Sequence, residues 1–167
     1  MAVVLVTGMS GAGKSTVLAE LGRLGHAVVD TDDGDWIEAV PVVGAAEPEP
    51  LWRVDRMTAL LDGHGDGHLF IAGTVADQGA IYQRFDAVVL LTAPLEVLLE
   101  RVTARTTNPF GHDEEQRAEI AEDTAVVEPL LRRRATLEID TRQPVDDVVR
   151  AVAAAAPGIA QPGGQRR

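Results

Sequence analysis

The segment "GMSGAGKST", at residues 8–16, combines residue types that suit phosphate chemistry. It follows the pattern Gly-x-x-x-x-Gly-Lys-Ser, with Lys14 and Ser15 directly after the last glycine. Glycines allow a tight loop whose backbone N–H groups point inward at a polyphosphate, whereas side chains at those positions would block the approach. The pattern therefore predicts a phosphate-binding loop that leads into a helix.

The residues of this loop have separate predicted roles. Lys14 is expected to reach the β and γ phosphates of a nucleotide, and Ser15 to offer its hydroxyl to Mg²⁺. The free N–H groups at the start of the following helix add further donors for phosphate. The chain has no Asn-Lys-x-Asp guanine motif, so we expect ATP and Mg²⁺ as cofactors. The predicted nucleotide contacts from the loop are Gly8, Ser10, Gly11, Ala12, Gly13, Lys14, Ser15 and Thr16.

Two further carboxylates, Asp30 and Asp32, follow a short apolar run in the segment "VVDTDD". In an open parallel sheet, ligands bind beyond the carboxyl ends of the strands, so both should lie near the phosphate loop. One carboxylate would hold a water on Mg²⁺, and the other would accept the proton of an attacking hydroxyl or hold that hydroxyl in line. The alternative is a charged turn that ends a strand, which is our interpretation of Asp33 and Asp35.

The elements that position these residues alternate between strand and helix patterns. An apolar, β-branched run at 2–7 suits a strand buried on both faces, and helical spacing follows at 15–24. Segment 32–40 is expected to be a short helix or loop, and 43–50 a surface loop. The other predicted strands are 26–30, 68–73, 87–92 and 135–140, and the other predicted helices are 51–61, 95–106, 113–134 and 145–156.

This alternation predicts an α/β domain with a five-stranded parallel sheet and right-handed crossovers. The domain is expected to span 1–156, and the Pro-, Gly- and Gln-rich residues 157–167 are expected to form a flexible C-terminal tail. A length of 167 residues suits a single domain.

Composition and net charge disfavour several classes of partner. The formal charge is −11, which disfavours nucleic acid and anionic membrane, although a local pocket can still attract an anion. The longest apolar runs are too short to span a bilayer, and no signal peptide is recognised, so we expect a cytoplasmic protein. There are no cysteines, which excludes disulfides and thiolate metal sites. The expected oligomeric state is monomer or homodimer.

The chain resembles the shikimate kinase group of small P-loop kinases, relatives of the nucleoside monophosphate kinases. The resemblance rests on the phosphate loop, "VVDTDD", the third strand ending in Gly73, and "VVLLTAPLEVLLERV" around the fourth strand. It implies a three-layer P-loop NTPase fold with a short lid after Arg105. It also implies transfer of the γ-phosphate of ATP to a hydroxyl of a small-molecule acceptor.

The resemblance also implies roles for individual residues. Asp30 would lie on the Mg²⁺ side and Asp32 on the acceptor side. Arg53 would bind a substrate carboxylate, and Arg105 or Arg117 would supply positive charge from the lid. Arg101 would stack on adenine, with Arg142 and Pro144 beside it.

Three departures from the group's pattern predict an acceptor other than shikimate. Gly73-Thr74-Val75 replaces a glycine triplet, Asn108 replaces an arginine before Pro109, and Val127 stands where a substrate-binding arginine is expected. The scaffold is thus expected to be retained and the acceptor pocket to be changed.

Several residues have two interpretations. Asp77, Gln78, Tyr82 and Arg84 either line the acceptor pocket, where Gln78 is our candidate, or form a surface connection. Trp36 and Trp52 are either core residues or rings that stack on a ligand. His64 and His68 either belong to a solvated turn or bind a metal. Arg132, Arg133 and Arg134 either form the charged end of a helix or contact phosphate.

Two other functions stay open. A nucleoside monophosphate kinase would need an arginine cluster around its acceptor, for which only Arg53, Arg56 and Arg84 are available. A nucleotide-binding module or slow ATPase that acts through a protein partner would need no acceptor pocket at all.

Overall fold

The computed structural model describes residues 1–41, 43–44, 48–75, 79–106 and 110–158. Asp77, Gln78, Asn108 and Pro109 lie outside the described residues, as does 159–167, most of the predicted tail. The strands are β1 (Ala2–Thr7), β2 (Ala27–Asp30), β3 (Ile37–Val40), β4 (Glu49–Trp52), β5 (His68–Ala72), β6 (Ala87–Thr92) and β7 (Leu137–Asp140). The helices are α1 (Lys14–Arg23), α2 (Val54–Gly63), α3 (Gly79–Tyr82), α4 (Leu95–Ala104), α5 (Glu114–Val126), α6 (Glu128–Arg134) and α7 (Val145–Ala154).

The main sheet has five strands in the order β2-β5-β1-β6-β7. Each neighbouring pair is parallel, and Val4 in β1 lies opposite Phe70 of β5 on one side and Ala87 of β6 on the other. All six residues of β1 are buried, as expected for a β-branched strand covered on both faces. The predicted five-stranded parallel α/β fold is therefore confirmed.

Helices cover both faces of this sheet and give three layers. One apolar core contains Val4 and Val6 of β1 together with Leu21 of α1 and Val152 of α7. The other contains the alternate residues of β1 with Trp52, Met57 and Tyr82. The alternation of β1 side chains between these cores fixes β1 in the sheet, and with it the start of the loop that follows β1.

A two-stranded hairpin, β3–β4, lies outside the main sheet and was not predicted. The strands are antiparallel, with Ile37 opposite Trp52 and Val40 opposite Glu49. The prediction of a helix or loop at 32–40 is wrong for Ile37–Val40, and the prediction of a loop at 43–50 is wrong for its last two residues, which belong to β4. Each strand has only four residues, and Pro50 removes an amide, so the sequence lacked the usual strand pattern.

Segment 113–134, predicted to be mostly helical, forms two helices, α5 and α6, which meet at Val127. Pro129 lies in the first turn of α6, where its missing N–H costs nothing, but it cannot continue α5. Segment 105–113 joins α4 to α5 and contains the predicted lid, of which 107–109 lie outside the described residues. In the described part of the chain, no helix has the length and apolar character needed to cross a membrane.

Candidate functional site

The phosphate loop runs from the end of β1 to the start of α1 and packs closely against β6 and α4. A Cβ on Gly8 would clash with the carbonyl oxygen of Leu91. A Cβ on Gly11, whose φ is +83°, would lie 2.6 Å from the carbonyl oxygen of Leu98. Glycine at both positions therefore lets the loop backbone lie directly on its supports, with the left-handed conformation at Gly11 that glycine tolerates.

The amides at the start of α1 face out of the helix. The first bond of the helix runs from the N–H of Val17 to the carbonyl of Gly13, at 3.0 Å. The N–H groups of Lys14, Ser15 and Thr16 therefore have no carbonyl partner within the helix. Together with the positive end of the helix dipole, they form a site that suits phosphate.

Lys14 lies along the loop. Its Nζ donates to the carbonyl oxygens of Gly8, at 2.7 Å, and Met9, at 3.4 Å. Burial lowers the pKa of Lys14, and the carboxylates of Asp32 and Asp30 act in the opposite direction. An ammonium held by two carbonyls over this loop is placed to bind the oxygens of a polyphosphate.

Ser15 and Asp30 form the oxygen cluster predicted for Mg²⁺. Ser15 Oγ donates to Asp30 Oδ2 at 3.0 Å, and the N–H of Asp32 donates to Asp30 Oδ1 at 3.1 Å. Among the described residues no group of three or more His, Cys, Asp or Glu side chains is arranged to hold a metal. Magnesium commonly takes one or two protein oxygens and completes its shell with waters and phosphates, so this donor set fits Mg²⁺.

Asp32 is close enough to Lys14 for the charges of the two side chains to interact. Burial raises the pKa of Asp32, while the charge of Lys14 lowers it and that of Asp30 raises it. The structure thus brings together Lys14, Ser15, Asp30 and Asp32, all predicted from sequence.

Thr31 anchors the backbone between the two carboxylates. It is 1% exposed, and its Oγ1 donates to the carbonyl of Ala72 at 2.8 Å. Trp52 Nε1, from β4, donates to the same hydroxyl at 3.0 Å. The hairpin is therefore tied to the end of β2. Of the two interpretations of Trp52, core residue or stacking ring, the structure supports the core residue, since Trp52 is fully buried and bonds Thr31.

The nucleotide cleft, as we call the larger cavity, has a volume of about 730 Å³ and extends from the phosphate loop to the end of β7. Such a volume is typical of small-molecule sites. Arg101 lines it and bonds Thr141 Oγ1 at 2.7 Å, the Thr141 carbonyl at 2.8 Å and the Gly11 carbonyl at 3.3 Å. This arginine ties α4 to the loop and to the segment after β7.

The predicted adenine side of the cleft is formed by Arg142, Gln143 and Val145. Pro144 caps the start of α7 and does not line the cleft, unlike its two neighbours. Hydrogen bonds from the Arg142 side chain and backbone lower the pKa of Asp140 to about 2. That ion pair fixes Arg142 at the rim.

Of the two candidate lid arginines, Arg105 lies at the site. It lines the nucleotide cleft, and its Nη2 bonds the carbonyl of Phe110 at 2.7 Å and Ser10 Oγ at 3.3 Å. Arg117 instead bonds the carbonyl of His112, at 2.6 Å, and does not line the cleft.

Arg53, predicted on a substrate carboxylate, is placed away from both cavities. Its guanidinium pairs with Asp35 at 3.0 Å and with Glu38 at 3.6 Å, on the hairpin side. Arg56 also pairs with Asp35 and lies over the ring of Trp36. Gln78, the other substrate candidate, lies outside the described residues.

The small pocket, as we call the second cavity, has a volume of about 200 Å³ and lies between the phosphate loop and α5. It shares Ser10, Lys14 and Asp32 with the nucleotide cleft. The lining residues that sequence reasoning missed are Met9, Thr74, Phe110, Ile120 and Asp123. Met9 is a variable position of the phosphate loop, and the other four belong to no motif. Thr74, whose Oγ1 donates to the Gly8 carbonyl at 2.8 Å, stands where the resemblance marked a departure.

The remaining candidate residues contact other side chains of the fold and line neither cavity. Tyr82 packs with Trp52 and Phe85, and Arg84 pairs with Asp62 at 2.6 Å. His68 lies beside His26, with ring centroids 6.1 Å apart. Arg132 bonds Glu128 and Glu138.

A protein-family model described as an AAA domain matches residues 4–122. The chain belongs to this family. Its AAA domain is also similar to curated nucleotide-binding proteins. The protein of Sorangium cellulosum is 36% identical over 145 residues, which are 83% of this chain and 39% of the relative. The protein of Mycolicibacterium gilvum is 31% identical over 140 residues, 83% of this chain and 42% of the relative. The chain thus spans about two fifths of the length of these relatives.

Solved structures share the fold of this AAA domain. A shikimate kinase from Acinetobacter baumannii in complex with shikimate has a TM-score of 0.59 and 22% identity, over 92% of this chain and 91% of that one. A gluconokinase from Sinorhizobium meliloti has a TM-score of 0.56 and 19% identity, over 92% and 90%. At these identities the similarity establishes a kinase-like P-loop fold.

Proposed function

We propose that this AAA domain protein transfers the γ-phosphate of ATP to a hydroxyl of a small molecule. The observation that carries the proposal is the position of Asp32. The charge of this carboxylate interacts with that of Lys14, and the residue lines both the nucleotide cleft and the small pocket. A protein that only binds or hydrolyses ATP has no need for a second cavity at that point.

The residues divide the work of phosphoryl transfer. Lys14, the loop amides and Arg105 bind the phosphate oxygens and stabilise the charge that develops on them. Ser15 and Asp30 would hold Mg²⁺, which neutralises negative charge on the β and γ phosphates when bound. Asp32 holds the acceptor hydroxyl and accepts its proton as the new O–P bond forms and the bond to the β–γ bridging oxygen breaks, leaving ADP.

The kinase-like fold supports this proposal, and the position of the arginines favours a hydroxyl over a phosphate acceptor. A nucleoside monophosphate acceptor would need free arginines around it. Arg53 and Arg56 pair with Asp35, and Arg84 pairs with Asp62. The three arginines that sequence offered for that role thus face other carboxylates.

A nucleotide-binding switch is the second candidate, since the curated relatives are named only as nucleotide-binding proteins. Such a protein would hydrolyse ATP slowly and report the bound nucleotide to a partner. It would transfer phosphate to water alone.

The test is the transfer of label from γ-labelled ATP, with Mg²⁺, to pooled acceptors: sugars, amino sugars, sugar acids, nucleosides and nucleoside monophosphates. Label should move into one pool with the wild-type protein and should be lost with Lys14→Ala. Asp32→Asn should lower the rate about 100- to 10,000-fold, the usual contribution of a general base.

Asp66→Asn is the matched control, because Asp66 is exposed in the turn before β5, at the opposite edge of the sheet. Its rate should equal that of the wild type. Full transfer by Lys14→Ala would refute the mechanism. Label released only as free phosphate, at one rate in every pool, would favour the switch.

A further inference from the structure

The small pocket has the size and position of an acceptor site. Its volume of about 200 Å³ is below the roughly 300–1,000 Å³ typical of drug-sized ligands, so it suits a molecule no larger than a monosaccharide. Asp32 lies in its wall beside Lys14. A hydroxyl in this pocket is therefore within reach of both the base and the phosphate site.

The charge of the pocket is unusual for a site that would take an acid. Among the described lining residues the cation is Lys14, which serves the phosphates, and the acids are Asp32 and Asp123. Segments 76–78 and 107–109, outside the description, contain no lysine or arginine. With a nucleotide bound, an anion in the small pocket would be repelled by two carboxylates and by the triphosphate. No cation of the described lining would be left to pair with it.

Arg105, Arg117 and Arg53 do not line the small pocket, and each is already bonded to protein groups. Arg105 bonds Ser10 and Phe110 and lines the nucleotide cleft. Arg117 donates to backbone carbonyls at the start of α5, and Arg53 pairs with Asp35. An acidic acceptor would have to take one of these side chains from its present partners.

Asp123, on α5, is an exposed carboxylate in the wall of the small pocket. Glu138, Asp140 and Asp62 each pair with an arginine, whereas in the described part of the chain no cation pairs with Asp123. Burial and the neighbouring charge of Glu122 raise the pKa of Asp123. A cationic group in the small pocket would supply the missing counter-charge.

We propose that the small pocket binds an amine-bearing alcohol of monosaccharide size or less, with its hydroxyl at Asp32 and its protonated amine at Asp123. This inference rests on the proposed phosphotransfer, which it extends by naming the class of acceptor. It makes Asp123 a specificity-determining residue and excludes carboxylic acids as good acceptors.

Binding tests the inference apart from catalysis. Wild-type protein saturated with Mg²⁺ and a non-hydrolysable ATP analogue is titrated, by calorimetry, with matched series: glucosamine, glucose and gluconate; ethanolamine, ethylene glycol and glycolate. In at least one series the amine should bind tenfold or more tightly than its neutral and acidic counterparts. Asp123→Asn should abolish that preference, and Glu119→Gln, an exposed charge change on the same helix that lines no cavity, should retain it.

Transfer of label from γ-labelled ATP to the same compounds separates the two proposals. Amine preference that depends on Asp123, with label released only as free phosphate, would leave the pocket assignment intact and refute the kinase. Transfer to a neutral or acidic member with equal or greater kcat/KM would retain the kinase and overturn the assignment. Failure of every amine to bind would overturn it as well.

Discussion

Gly73 provides the space in which Thr31 and Trp52 meet. A Cβ at this position would clash with Thr31 Oγ1 and would lie 3.3 Å from the Trp52 ring. Gly73→Ala should therefore displace a buried hydrogen bond and lower the free energy of unfolding by about 1–3 kcal/mol. Urea denaturation measures this change.

Gly63→Ala is the matched control for that substitution. Gly63 lies at the end of α2, where a Cβ would meet nothing within 4 Å, so stability should stay the same or rise by up to about 1 kcal/mol. If both variants unfold at the wild-type urea concentration, the Thr31–Trp52 contact does not constrain this region.

Site residues could be predicted from sequence where a local sequence pattern determines their role. Lys14, Ser15 and the loop glycines belong to one motif, because neighbouring amides must surround one phosphate. Asp30 and Asp32 followed from the position of a strand end. Asp123 comes from a helix distant in sequence and meets the loop only through tertiary packing, which no local spacing encodes.

Arg132 links α6 to the edge strand β7. It donates to Glu138 at 2.9 Å and to Glu128 at 2.7 Å, and Glu128 is only 8% exposed. Arg132→Ala leaves Glu128 without its counter-charge and should cost about 1–2 kcal/mol of unfolding free energy, limited by solvent screening of the partly exposed arginine. Arg133→Ala, an exposed neighbour on the same last turn, should cost less.

The effect of Arg132 should depend on pH in a defined direction. Hydrogen bonding to Arg132 lowers the pKa of Glu138, so this contribution to stability is present above the pKa of the unfolded state and is lost as the pH falls. The gap between wild type and Arg132→Ala should narrow below about pH 4. A gap that is constant down to pH 3 would mean that the lost contacts are not ionic.

The elements that sequence predicted well are those whose burial is uniform. β1 and β6 are apolar up to a final threonine because helices cover both faces of the central strands. The β3–β4 hairpin carries acids and Pro50, and Trp52 ties it to Thr31, directly after β2. Its strands acquire their conformation from tertiary contacts, which a propensity argument does not contain.

The whole molecule places its chemistry at one edge of the sheet. The phosphate loop follows β1, the carboxylates follow β2, Thr74 follows β5 and Arg142 follows β7, so four carboxyl ends surround the two cavities. This is the arrangement expected of an open parallel sheet. The net charge of −11 makes the cationic phosphate site a local exception.

Lys14 is the only lysine of the chain, which allows the nucleotide site to be tested in the intact protein. An amine-acetylating reagent should modify Lys14 and the terminal amine alone, as read by mass spectrometry. Saturating ATP with Mg²⁺ should slow acetylation of Lys14 at least tenfold, because its Nζ would contact phosphate, and should leave the terminal amine unaffected. Adenosine with Mg²⁺ is the control and should not protect.

The same binding should stabilise the fold as a whole. A ligand at 100 times its Kd adds about 2.7 kcal/mol, which for a domain of this size raises Tm by about 5–10 °C. Lys14→Ala should lose most of this rise while keeping the wild-type Tm without nucleotide, because the hydrogen bonds of Lys14 to described residues go to carbonyls of its own loop. Equal acetylation of Lys14 with and without ATP, together with an unchanged Tm, would show that the loop does not bind the triphosphate.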